Sequence, residues 1–144
     1  MEARKILLAD DSANDVELTL AALEEHHLAN EVIVARDGAA ALDYLYRRGA
    51  FANRPPGHPL LVLLDLKMPK VSGLDVLRQI KADPELKTIP VVVLTSSREE
   101  HDIVEGYRLG VNAYVVKPVE FASFIDAVKS LSLFWVLVNQ PPPR

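Results

Sequence analysis

Four short apolar runs in this chain each lead directly into a residue capable of chemistry. Asp10 and Asp11 follow KILLA (5–9), Asp65 follows LLVLL (60–64), Thr95 follows PVVVL (90–94), and Lys117 follows AYVV (113–116). Brought together, these ends would hold three carboxylates, a hydroxyl and an ammonium in one pocket. Two carboxylates about 4 Å apart repel by roughly 4 kcal/mol at an effective dielectric near 20, so the cluster needs positive charge. Lys117 supplies one, and a divalent cation would supply two more. Mg²⁺ suits such an oxygen site because it keeps several waters and needs few carboxylates. The D-x-D-x-D-G spacing of an EF-hand calcium loop is absent. A carboxylate beside these charges can act as a nucleophile and form an aspartyl phosphate. Phosphoryl transfer asks mainly for alignment and for stabilisation of charge on peripheral oxygens, which a metal, Lys117 and the Thr95 hydroxyl could give.

The elements that must position these residues are legible. With EVIVA (31–35), the apolar runs number five, and they are continuous rather than alternating. That is the pattern of parallel strands buried on both faces. Between them lie stretches with helical spacing: Val16, Leu20 and Leu23; Leu74, Leu77 and Ile80; Ile103, Tyr107 and Leu109. Three begin with S-x-x-D/E (Ser12 to Asp15, Ser72 to Asp75, Ser97 to Glu100), the pattern of a capping box at a helix start. Alternating βα units give an α/β fold: a doubly wound five-stranded parallel sheet, expected in the order 2-1-3-4-5. The functional groove of such a sheet lies at the carboxyl ends of its strands, where the candidate residues fall. Residues 49–59 (GAFANRPPGHP) read as a surface loop at the opposite end, and Gly110 as a left-handed helix terminus. Residues 1–138 are expected to form one domain and 139–144 (NQPPPR) a flexible proline-rich tail.

Composition excludes several function classes. The 144 residues are 49% hydrophobic and 25% charged, a globular balance with enough chain for a full core. There is no cysteine, so disulfide scaffolds, cysteine-type zinc sites and thiol catalysis are ruled out. A net charge of -4 offers no basic footprint for nucleic acid. No apolar run approaches the roughly 20 residues of a membrane span, and the first residues lack a signal-peptide pattern. The expected location is the cytoplasm. His26, His27, His58 and His101 have no mutual metal spacing and read as surface residues.

LLADD (7–11), LLDLKMPKVSG (63–73), VVVLTSS (91–97) and AYVVKPV (113–119) together resemble the receiver domain of bacterial two-component response regulators, over nearly the whole chain. The resemblance implies the flavodoxin-like receiver fold and a set of roles. Asp65 would be the phosphoacceptor, fed by a phosphohistidine on a sensor kinase. Asp10 and Asp11 would be the metal-binding pair, Asp11 ahead of Asp10 as direct ligand, with Asp65 and the backbone carbonyl of Lys67 completing the Mg²⁺ site. Thr95 and Lys117 would bond the phosphoryl group, Tyr114 would be the aromatic switch, and the bond before Pro118 would be cis. DPELKTIPVVVLTSS (83–97), LSLFWVLV (131–138) and the long loop before the third strand are similar to regulators that partner phytochrome-type histidine kinases. Light sensing would then reside in that partner, a bacteriophytochrome among the kinases the resemblance implies, since nothing here marks a chromophore site.

Phe121, Phe124, Ile125, Val128 and Leu131 form one apolar helix face for the sheet. The run that follows, 133–138, exceeds what that face can bury. It predicts a homodimer interface including Phe134, Trp135 and Leu137. Rival functions fit less well. A haloacid-dehalogenase-type hydrolase wants an acid two residues after the nucleophile, where Lys67 stands. A flavin phosphate would meet Asp10 and Asp11, and a dinucleotide fold needs an absent G-x-G-x-x-G. A non-phosphorylated scaffold is disfavoured because no acceptor-site residue is missing. With no output module in view, the domain would act by binding a partner, relaying the phosphoryl group or serving as a phosphate sink.

Overall fold

The computed structural model describes residues 5–24, 31–66, 68, 70–95, 108, 110–117 and 119–130, with the backbone alone at Thr95, Phe121, Val128 and Ser130. Five strands, β1 (Ile6–Ala9), β2 (Val32–Ala35), β3 (Leu61–Asp65), β4 (Val91–Thr95) and β5 (Ala113–Val116), form one sheet. The order is β2-β1-β3-β4-β5 and every pairing is parallel. Helices α1 (Ala13–Glu24), α2 (Gly38–Tyr46), α3 (Gly73–Ala82) and α4 (Phe121–Ser130) cover it.

The continuous apolar runs are explained by burial on both sides. Alternate residues of each strand point to opposite faces. Leu7, Ala9, Val62, Leu64, Val91 and Val93 pack with Leu42, Leu45, Val76, Leu77 and Ile80 of α2 and α3. Ile6, Leu8, Leu61, Leu63, Val92 and Leu94 pack with Val16, Leu23, Phe124 and Ile125 of α1 and α4. The residues of β1 and the first four of β3 expose nothing measurable, and each such aliphatic side chain contributes about 1.5–3 kcal/mol of hydrophobic burial.

Two predicted boundaries move. The apolar runs end at Leu64 and Leu94, yet Asp65 and Thr95 still belong to the ladder: Asp65 pairs with Leu94 and Thr95 with Val116. A polar side chain ends the hydrophobic pattern one residue before backbone pairing ends. Within α1, Thr19 is buried while Leu20 is only half-buried and Leu18 is exposed, so the helix is rotated slightly from the predicted apolar stripe.

Helix starts follow their caps. Asp37 Oδ1 accepts the Ala40 N–H at 2.7 Å to open α2. Ser12 Oγ accepts from Asp15 N and Ser72 Oγ from Asp75 N, each at 3.2 Å. Each is the serine half of a capping box, and the acid's carboxylate turns to a cation: Asp75 takes Arg78 at 2.8 Å and Asp15 takes Lys117 at 3.0 Å. The third S-x-x-E, at Ser97, and the helical spacing of Ile103, Tyr107 and Leu109 lie outside the described residues. Gly110 has φ 89°, the left-handed conformation expected of it.

The loop before β3 is ordered from within. It holds a 3₁₀ turn at Gly49–Phe51, and Phe51 meets Tyr44 edge-to-face at 5.2 Å. Arg54 donates to the carbonyls of Tyr44 (2.7 Å), Pro55 (2.8 Å) and Gly57 (2.9 Å), and its guanidinium lies 4.2 Å from the Tyr44 ring centroid. A cavity of about 480 Å³ opens beside this loop, lined in part by Tyr46, His58 and Asp83, at the end of the domain away from the acids.

Candidate phosphoacceptor and metal site

Asp10 leaves β1 with its N–H bonded to the Ala35 carbonyl at 3.0 Å, and its side chain is fully buried. Oδ1 accepts the Ser12 N–H at 3.1 Å. Oδ2 faces the ammonium of Lys117 at 3.0 Å. Asp11 is exposed, and its backbone carbonyl accepts a long 3.4 Å bond from Arg36. Asp65, at the end of the central strand, keeps 12% of its side chain open to solvent and stands 3.3 Å from Lys117 Nζ. One carboxylate oxygen from each of Asp10, Asp11 and Asp65 lies within 4.8 Å of the others.

Lys117 is pulled two ways. Burial disfavours its charge, but Asp10, Asp15 and Asp65 outweigh that loss and hold the ammonium above its ordinary pKa. The lysine therefore stays charged wherever the carboxylates are.

The residues present suit a divalent cation. Three carboxylates with an oxygen each within 4.8 Å of the others repel one another, and a cation held among them would offset that repulsion. Oxygen donors of this kind, one of them exposed, match a hard ion that retains waters.

Of the sequence candidates, Asp10, Asp11, Asp65 and Lys117 come together. Thr95 ends β4 at the same edge, and Tyr114 is half-buried on β5 against the α2–α3 side of the core. The Thr95 side chain, Lys67, Pro118, Phe134, Trp135 and Leu137 lie outside the described residues. The sequence reading overlooked Asp15 and Arg36. Asp15 was visible as the acid of the first S-x-x-D, and Arg36 as the residue following the second strand, the one strand end passed over.

The loop that follows Asp65 is packed with no room to spare. A Cβ on Gly73 would overlap the Asp65 carbonyl oxygen and stand 2.5 Å from Leu66 Cα. A Cβ on Gly38 would overlap the Val71 carbonyl oxygen. Lys70, in the same loop, holds φ 68° and pairs with Asp37 at 3.4 Å. The Gly73 N–H bonds the Leu66 carbonyl at 2.8 Å.

A parallel 2-1-3-4-5 sheet with acids and a lysine at its carboxyl edge defines a class, and residues 6–129 match the response regulator receiver domain; the chain belongs to that family. Its relatives narrow the picture. Response regulator Rcp1 from Synechocystis sp. is 41% identical over 131 residues, 91% of this chain and 88% of its own. The solved bacteriophytochrome response regulator AtBRR is 59% identical with a TM-score of 0.89, covering 97% of this chain and all of that one. RtBRR, also a bacteriophytochrome response regulator, is 58% identical with a TM-score of 0.88, covering 99% and 86%. Rcp1 has also been solved in a Mn²⁺-bound form, 40% identical with a TM-score of 0.76, covering 98% and 99%. Among the described residues no helix is long and apolar enough to cross a membrane.

Proposed function

We propose that this receiver accepts a phosphoryl group on Asp65 from a phosphohistidine of a phytochrome-type sensor kinase in the cytoplasm. The observation that carries this is the Asp65 carboxylate, largely buried but with 12% of its side chain exposed, within 4.8 Å of the Asp10 and Asp11 oxygens and 3.3 Å from Lys117. An Asp65 oxygen attacks phosphorus. The P–N bond to the donor imidazole breaks, and its electron pair stays on the imidazole nitrogen, which takes up a proton. Lys117 holds positive charge where the transferred oxygens gain negative charge. Asp10, Asp11 and Asp65, with the Lys67 carbonyl, would hold Mg²⁺, which supplies further charge neutralisation when bound.

The phytochrome partner is supported by the bacteriophytochrome regulators among the similar structures. Catalysis is confined to the domain's own phosphorylation and dephosphorylation. The new charge on Asp65 draws Thr95 inward and repacks Tyr114, shifting a two-state surface. The apolar run 133–138 supports a homodimer, and truncation after Ser132 should give a monomer by light scattering.

The deciding experiment is incubation with a small-molecule phosphodonor and Mg²⁺ followed by intact-mass measurement. Wild type gains one phosphoryl group and Asp65→Asn gains none. Equal labelling of both would place the acceptor elsewhere.

A further inference from the structure

Lys117 is surrounded by more carboxylates than the metal site needs. Its ammonium stands 3.0 Å from Asp10 Oδ2, 3.0 Å from Asp15 Oδ2 and 3.3 Å from Asp65 Oδ2. Asp10 and Asp65 belong to the set of three oxygens close enough to share a cation, and Asp15 does not. The ammonium donates a hydrogen bond to Asp15, so the outlying acid holds it as closely as Asp10 does.

The sequence explains why Asp15 is free for this. In a complete capping box the acid three residues after the cap reaches back to the cap's own N–H. Here the Ser12 N–H is taken by Asp10 Oδ1 at 3.1 Å. Ser12 Oγ still fixes the Asp15 backbone at 3.2 Å, so the carboxylate is held in the first turn of α1 and turned toward Lys117.

A divalent cation and an ammonium compete for the same carboxylate oxygens and repel one another. Metal entry requires Lys117 to withdraw from Asp10 and Asp65, and it can do so only if another anion receives it. We infer that Asp15 is a positioning residue that anchors Lys117 off the Asp10 and Asp65 oxygens and thereby raises the affinity of the site for a divalent metal. The inference rests on the metal site proposed above.

The test is a Mn²⁺ titration of the full chain, following the electron paramagnetic resonance signal of the free ion. Asp11→Asn examines the underlying site: near-wild-type Mn²⁺ binding by this variant would remove the metal centre and the inference with it. With that site established, Asp15→Asn should bind Mn²⁺ about five-fold more weakly, the scale of one lost charge beside a partly solvated site. Lys117→Met should bind more tightly than wild type. In the Lys117→Met background, Asp15→Asn should change affinity by about two-fold or less, since no ammonium remains to be anchored. Lys117→Gln serves in the same cycle if the methionine variant does not fold. An unchanged affinity for Asp15→Asn, or a loss as large without Lys117 as with it, overturns the inference while leaving the metal site standing.

Discussion

Replacing Gly73 by alanine tests how tightly Asp65, the proposed acceptor, is held. Gly73 opens α3, where alanine should be favoured by up to about 1 kcal/mol on helix propensity alone. The structure opposes that gain. The added Cβ would overlap the Asp65 carbonyl oxygen and lie 2.5 Å from Leu66 Cα and 2.9 Å from the Asp65 carbonyl carbon, against the roughly 3.5–4.0 Å at which carbon atoms pack. All three atoms are backbone, so no rotamer change relieves the overlap; the strand end or the helix start must move. Overpacking typically costs 1–3 kcal/mol, and a clash confined to backbone belongs near 3. The net loss is then about 2 kcal/mol, lowering the urea midpoint by about 1 M for a slope near 2 kcal/mol per M. Because the displaced group is the peptide of Asp65, the proposed acceptor, the phosphorylation rate with a small-molecule donor should fall roughly ten- to hundred-fold in protein still folded by circular dichroism. A raised midpoint, or phosphorylation at the wild-type rate, would show that the β3–α3 junction yields freely and refute the packing argument.

Asp37→Ala removes the cap of α2 and the partner of Lys70, and should cost about 1 kcal/mol by urea unfolding at pH 7. The bond from the Ala40 N–H, with help from Lys70, holds the Asp37 carboxyl below its ordinary pKa. Its contribution is thus present above about pH 4 and vanishes as pH falls through the lowered value, so variant and wild type should converge in acid. Lys117→Met should be destabilised equally at pH 6 and pH 9. With a pKa above the ordinary lysine value of about 10.4, the contribution of Lys117 is complete below that pH and is lost only as pH rises through the raised one. Arg54→Ala should lose about 2 kcal/mol and speed proteolysis between residues 47 and 59, with Mn²⁺ affinity unchanged, because its bonds all end within that loop and α2.

The sheet and its order were legible because strands buried on both faces carry an unbroken apolar signal, which β1 and β3 show most clearly. The acids and lysine were legible because that signal stops where each strand reaches the groove. Hydrophobicity could not report that Asp65 and Thr95 remain in the ladder, since pairing is a property of the backbone. The role of Asp15 depends on which acceptor takes the Ser12 N–H, a choice settled in three dimensions by Asp10. Arg54 was hidden for a related reason: proline and glycine marked its segment as a loop, but a guanidinium that binds carbonyls leaves no trace in the identity of the residues it binds.

Leu63 and Leu64 are neighbours in the chain, yet they serve different interiors, one beneath α1 and α4 and the other beneath α2 and α3. The sheet is a partition between two rooms, and adjacent strand residues furnish opposite ones. Substitutions in the two interiors should therefore add with little coupling. The helical face on one side can drift in sequence and acquire new contacts while the other keeps its packing, and the wall between them continues to present its charged edge unchanged.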